Sequence, residues 1–272
     1  MSHLNPTERL RSITRRSLED HALAIEAAEA LSAFAPEPAS LVVACRRLLA
    51  HHRSHGALWW LCARVLAAAD PALASREAVR LLDADRTADR LAANLPLLDE
   101  DDVVAVIGWP YAVDCALSER LDIETVSVRT EGADTASALR QRRREGRVRT
   151  VDEWDLATMR VARLLVPAAA IGGGRAVVPA GTATTLDIVG SAGESWLVGG
   201  VGRVLPRRLF EALEAAVANG VGHLDAPDDE APTEIVSLEK FDRVAGPRGL
   251  EAIVDAEARP DCPVVPELLR PL

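Results

Sequence analysis

The sequence predicts an α/β protein in which a helical N-terminal bundle precedes a parallel sheet covered by helices on both faces. Three observations carry that expectation. In residues 164–205, LLVPAAAIGGGRAVVPAGTATTLDIVGSAGESWLVGGVGRVL, an apolar run meets a glycine-rich turn, Gly-Thr opens a helix, and a second apolar run follows. Upstream, short β-rich runs alternate with helical stretches, the grammar of strands joined by crossover helices. Before Pro96 the apolar spacing is helical throughout, with short connections.

The helical region is expected to span 1–96. Thr7 can cap a helix running toward Leu31, whose apolar positions Leu10, Ile13, Leu18, Leu23, Ile25 and Leu31 fit one face loosely. Pro36 and Pro38 break that pattern. A second helix is expected from Ser40 to about His55, with Gly56 as its stop, and LWWLCARVLAAAD as a third. REAVRLLDADRTADRLAANLPLL reads as one further amphipathic stretch.

Residues 97–272 are expected to form the second unit, a Rossmann-like α/β domain with a wrapping C-terminal tail. DDVVAVIG reads as a strand, PYAVDCALSERL as a helix, IETVSVRTE as a strand and residues 135–147 as a helix, while VRTVDEWD is ambiguous. MRVARLLVPAAA leads into the fourth strand. The glycines Gly172, Gly173 and Gly174 make no GxGxxG fingerprint and read as a tight turn between strand and helix, so no cofactor is expected. From Asp225 the chain is rich in proline and acid, with one apolar run at Leu250–Val254, and is expected to wrap the domain or a partner.

Composition narrows the function. A net charge of −10 on 272 residues argues against nucleic acid as the main partner, and any anionic ligand must meet a local positive pocket. Four scattered cysteines and a start, MSHLNPTERLRS, without an apolar signal segment lead to the expectation of a reduced cytoplasmic protein. No run of about 18 apolar residues suggests a membrane span. Lys240 is the only lysine and lies in the charged segment EKFDR, so Schiff-base chemistry is disfavoured.

Four segments, in order, resemble the family that holds the alpha, beta and delta subunits of translation initiation factor 2B, methylthioribose-1-phosphate isomerase and ribose-1,5-bisphosphate isomerase. LDEDDVVAVIGWPYAV is similar to that family's strand ending in Thr-His-Cys-Asn-x-Gly. VSVRTEGADTASALRQRRREGRVRTVDE is similar to its segment beginning Glu-x-Arg-Pro and ending in a strand with an aspartate. LLVPAAAIGGGRAVVPAGTATT resembles Val-Gly-Ala-Asp-x-Ile followed by Asn-Lys-x-Gly-Thr. EKFDRVAGP resembles the late Phe-Asp-x-x-Pro element, with one residue more.

The resemblance implies a site and this chain departs from it. The isomerases' cysteine and aspartate, their acid/base pair, fall on Gly108 and Ala169, neither of which transfers protons. The ligand-holding Asn-Lys pair falls on Val178 and Pro179, while Gly181 and Thr182 are kept. The pattern resembles the non-catalytic subunits of initiation factor 2B.

The candidate ligand site comprises Gly108, Trp109, Tyr111, Glu131, Gly181, Thr182 and Thr184. Open α/β sheets bind ligands at the carboxyl ends of strands, where Trp109 and Tyr111 can stack on a base or pack beneath a lid. The Gly181–Thr185 run can offer amides and hydroxyls to phosphate at a helix N-terminus, or serve simply as a cap. Cys115 reads as a core cysteine. His51, His52 and His55 read as a polar helix end rather than a metal site, because no cysteine or carboxylate stands at ligand spacing. His223 is a lone loop histidine.

The cluster Arg140, Arg142, Arg143, Arg144, Arg147 and Arg149, near Glu131 and Asp134, reads as a solvated helix face that can also draw phosphorylated ligands or RNA. Three functions are therefore compatible with the sequence. The leading one is a non-catalytic regulatory protein that binds a phosphorylated small molecule, such as a sugar phosphate or nucleotide, or a protein partner, as a homodimer. The others are an aldose-ketose sugar-phosphate isomerase using Asp187, Glu131 or Asp114 as base, and a structural oligomer subunit.

Overall fold

The computed structural model of the chain describes residues 20–118, 120–130, 137–220 and 232–272. Among the described residues the first elements are the helices α1 (Asp20–Ser32), α2 (Pro38–His51), α3 (Gly56–Ala67), α4 (Pro71–Asp83) and α5 (Thr87–Asn94). Then follow β1 (Asp102–Ile107), α6 (Tyr111–Ser118), β2 (Glu124–Val128), α7 (Ser137–Arg144), β3 (Arg149–Val151), α8 (Glu153–Leu156) and β4 (Arg160–Pro167). The chain continues through β5 (Ala170–Gly172), β6 (Arg175–Pro179), α9 (Thr182–Val189), β7 (Glu194–Val198), α10 (Arg207–Gly220), β8 (Thr233–Ser237), β9 (Arg243–Gly246), β10 (Gly249–Ala252) and α11 (Ile253–Glu257). The expected α/β class with an N-terminal helical region is what the chain adopts.

The main sheet has the order β10-β9-β7-β4-β1-β2-β3 and is parallel except for β10. Its parallel part, β3-β2-β1-β4-β7-β9, follows the doubly wound order, which reverses direction between β1 and β4. The sequence explains why these strands sit inside. In DVVAVI the residues from Val103 onward are all buried, as a strand covered on both faces requires. One face packs against α8, α9 and α11 through Leu156, Leu186, Val189 and Ala256. The other packs against α5 and α6 through Leu91, Leu95, Val113 and Leu117, with Trp196 beneath them.

A second sheet, β5-β6-β8, is antiparallel and forms a wall between two cores. Its alternation is the reason. Ala170 and Val177 face the helical core of Leu31, Leu48, Trp59, Trp60 and Phe210, whereas Ile171, Ala176, Val178 and Val236 face the core of the parallel sheet. At the centre of the helical core, α3 is buried on nearly every side from Gly56 to Val65.

Several elements differ from expectation for identifiable reasons. Gly56 begins α3 instead of ending α2, which stops at His51. The stretch expected as one helix after Arg76 is split at Ala84–Arg86, because Asp85 turns its carboxylate onto the Thr87 N–H (2.9 Å) and hydroxyl (2.6 Å) and onto the Val201 N–H (2.9 Å). Gly173 and Gly174 join β5 to β6, strand to strand. Both have positive φ, 58° and 76°, as a two-residue hairpin turn needs.

The C-terminal stretch contributes β8 to the small sheet and β9 and β10 to the large one, pairings that charged, short strands do not announce. Its last residues pack against the helical region. There Arg46 of α2 donates to the Glu267 carbonyl (3.0 Å) and Leu268 is fully buried. The sequence reading assigns no element to 207–220, yet the spacing of Leu209, Leu213 and Ala216 is that of the helix α10. Glu131, Asp134, His223 and the cap Thr7 lie outside the described residues.

Candidate functional site

The reversal of strand order between β1 and β4 brings the loops after β1, β4 and β6 together at the carboxyl end of the sheet. Gly108 follows β1 directly. A Cβ built on it would lie 3.6 Å from the Pro167 ring at the end of β4 and 4.0 Å from the Pro179 ring at the end of β6. Gly181, at φ 89°, sits beside Thr130 at the end of β2, whose Cγ2 would be 3.2 Å from a Cβ there. The surroundings of Gly108 and Gly181 in this crevice are therefore proline, glycine and threonine methyl, and Ala169 packs against the helical core instead, its carbonyl accepting from the Gly56 N–H. Thr130 Oγ1 is buried there without a hydrogen-bond partner among the described residues.

The predicted site residues separate into two groups. Gly108, Gly181 and Thr182 lie within this crevice. Thr182 is fully buried and donates its hydroxyl to the Pro179 carbonyl (2.6 Å), and Thr185 donates to the Gly181 carbonyl (2.9 Å), so both hydroxyls are spent on the chain itself. Thr184 faces solvent. Trp109 is buried, and its indole N–H donates to Asp114 Oδ1 at 2.9 Å. Tyr111 is exposed and its ring stacks on His21, with centroids 6.4 Å apart. Trp109 and Tyr111 thus point apart.

Glu234 of β8 is a residue that sequence reasoning missed. Its Oε1 accepts the Ala183 N–H at 2.7 Å, in the first turn of α9. Helix N-terminal amides and the dipole favour an anion at that point, and here the anion is the chain's own carboxylate. The loop after β7 shows the same device. Asp85 accepts the Val201 N–H, and Asp261 Oδ2 accepts those of Gly202 (3.2 Å) and Val204 (3.4 Å). Burial pushes the Asp261 carboxyl above its ordinary value, against the pull of Arg248 and of those amides.

The proposed bases are engaged elsewhere. Asp114 accepts from Arg142 Nε at 2.9 Å as well as from Trp109, and this hydrogen bond raises the Arg142 guanidinium further. Asp187 is exposed and pairs with Lys240 at 2.7 Å. A second concavity, of about 550 Å³, opens at the opposite, amino ends of β4 and β7. Its cations are matched internally: Arg160 with Asp102 (2.9 Å), Arg163 with Glu194 (3.4 Å) and Lys240 with Asp187.

None of the four cysteines forms a disulfide. Cys62 lies against Cys45, and burial holds its thiol well above the usual range; burial likewise pushes Cys262 up to about 12. Cys115 is half-buried. Among the described residues no group of three or more His, Cys, Asp or Glu side chains could hold a metal ion, and no helix is long and apolar enough to cross a membrane.

No family profile and no curated protein matches the sequence. Solved structures do share the fold. eIF2B beta from Chaetomium thermophilum superposes with a TM-score of 0.61 at 11% identity, over 93% of this chain and 89% of that one. A chain of the tetrameric eIF2B-beta2-delta2 complex from C. thermophilum gives 0.65 at 14% identity, over 93% and 92%. The delta subunit of translation initiation factor eIF-2B from A. fulgidus gives 0.53 at 12% identity, over 92% and 88%. The fold is that of initiation-factor-2B subunits across nearly the full length.

Proposed function

We propose that this chain is a non-catalytic, initiation-factor-2B-like protein that acts by binding, with a protein partner as its principal guest. The observation that carries the reading is the Glu234 carboxylate on the Ala183 N–H, which fills the anion position at the crevice. A phosphorylated ligand would have to displace it. Gly108 and Ala169, which stand at the isomerases' acid/base positions, cannot move protons between sugar carbons, and Asp114 and Asp187 are held in ion pairs. The chain in the tetrameric complex above acts within an assembly of subunits, and association with a partner or a second copy is the role that the same scaffold would serve here.

The test is a thermal-midpoint series with inorganic phosphate, ribose 5-phosphate and nucleoside monophosphates, beside an assay for aldose-ketose interconversion. A ligand at about 100 times its Kd adds roughly 2.7 kcal/mol, a readable shift. Unchanged midpoints and no turnover are expected. A selective shift without turnover would make the protein a small-molecule sensor, and turnover would restore the isomerase reading.

A further inference from the structure

We propose that the exposed face of α7, with the start of β3, is a docking surface for an acidic protein segment. This deepens the binding reading above by assigning it a surface and a partner chemistry. Residues 140–149 hold six arginines and one acid, Glu145, in a chain whose net charge is −10. The structure sorts these arginines. Arg142 turns inward to Asp114 and ties α7 to α6. Arg147 lies 3.6 Å from Glu145, and Arg149 lies 3.3 Å from Glu124 on the neighbouring strand. Arg140 and Arg144, one turn apart, are exposed and have no ion pair among the described residues; the same is true of Arg129 at the end of β2.

Local energetics do not account for this arrangement. The helix dipole favours cations in the last turn, which covers Arg142, Arg143 and Arg144 but not Arg140, Arg147 or Arg149. Like charges one turn apart, as at Arg140 and Arg144, oppose helix formation. An acidic partner would reverse that sign, and each guanidinium fork can take a carboxylate bidentately.

Charge and side-chain chemistry favour an acidic protein over nucleic acid for two reasons. A long polyanion would extend beyond the patch onto an acidic surface and be repelled there, whereas a short acidic segment meets the patch alone. The α7 sequence, SALRQRRR, also has no aromatic side chain on which a base can stack.

The experiment uses the full chain, a fluorescein-labelled glutamate-rich helical peptide and a labelled oligouridylate of equal length, read by anisotropy at low and moderate salt. Arg140→Ala/Arg144→Ala is compared with Arg76→Ala/Arg80→Ala, a pair also exposed and one turn apart but set on α4 beside Glu77 and Asp83. The peptide should bind the native chain, weaken at least tenfold in the α7 variant, and be unaffected in the α4 variant. Unchanged thermal midpoints would show that both variants fold. No binding to the native chain, equal loss in both variants, or tighter binding of the oligouridylate would each overturn the proposal. Sugar-phosphate turnover with the peptide still docking at α7 would reject the binding-only reading and leave this surface standing, and loss of docking without turnover would do the reverse.

Discussion

The Glu234 carboxylate and the Ala183 amide, 51 residues apart in sequence, meet at 2.7 Å and close the anion position of α9 from within. Gly181 precedes that helix without a side chain to cap it, so the acceptor comes from β8 instead. Glu234→Ala should lower stability by about 1–2 kcal/mol, in line with loss of a helix cap. It should also let inorganic phosphate raise the thermal midpoint, an effect not expected for the native protein. Identical phosphate responses in the two proteins would show that Glu234 does not occupy an anion site.

Gly56 joins the helical core to the turn between β4 and β5. Its N–H donates to the Ala169 carbonyl at 3.0 Å, and a Cβ there would stand 2.3 Å from that oxygen. Gly56→Ala must therefore push α3 away from the end of β4, and a loss of more than about 2 kcal/mol is expected in denaturant titration. Gly146→Ala is the useful contrast. Nothing lies within 4 Å of its Cβ position, but its φ of 71° is unfavourable for alanine, so roughly 1 kcal/mol should suffice there.

The sequence reveals elements whose signal is local. β1, as DVVAVI, announces a strand buried on both sides, and Gly181-Thr182 announces the start of α9. The strands that close the two sheets carry no such signal. β10 reads GLEA, and β8 leaves Thr233, Glu234 and Ile235 only half-buried, so neither looks apolar enough to join a sheet. The glycine triplet reads as a strand-to-helix turn yet makes a strand-to-strand hairpin, because both use glycine. At the candidate site the sequence gives no sign of which carboxylates occupy the backbone amides. Asp85, Glu234 and Asp261 reach their amides across long sequence separations, and no spacing rule connects them.

Asp114 serves Trp109 and Arg142 at once, both through Oδ1 at 2.9 Å. Removing it leaves a buried indole N–H and a largely buried guanidinium without their acceptor. Asp114→Ala should therefore lose about 2–3 kcal/mol, and Asp114→Asn distinctly less, because the amide oxygen can still accept from Trp109. A double-mutant cycle with Arg142→Ala should show coupling of about 1 kcal/mol. Additive losses would mean that the pair does not hold α6 to α7.

Asp261 and Asp122 should give opposite pH dependences. Burial raises the Asp261 carboxyl in the folded state above its ordinary value near 3.8. Its titration therefore favours the folded protein fully below that value, and the benefit fades as pH rises through the elevated folded value. For Asp122 the hydrogen bond from Arg120 lowers the carboxyl, so its contribution is present above about 3.8 and is lost as pH falls through the depressed folded value. Denaturation midpoints of Asp261→Asn measured from acid to neutral pH should rise relative to the native chain. Those of Asp122→Asn should fall relative to it over the acid part of the same range, by less because Asp122 lies in solvent, where screening weakens the pair. A common slope for both variants would mean that the amides of Gly202 and Val204, together with Arg248, outweigh burial at Asp261, and that the loop after β7 is held by an ordinary ionised carboxylate.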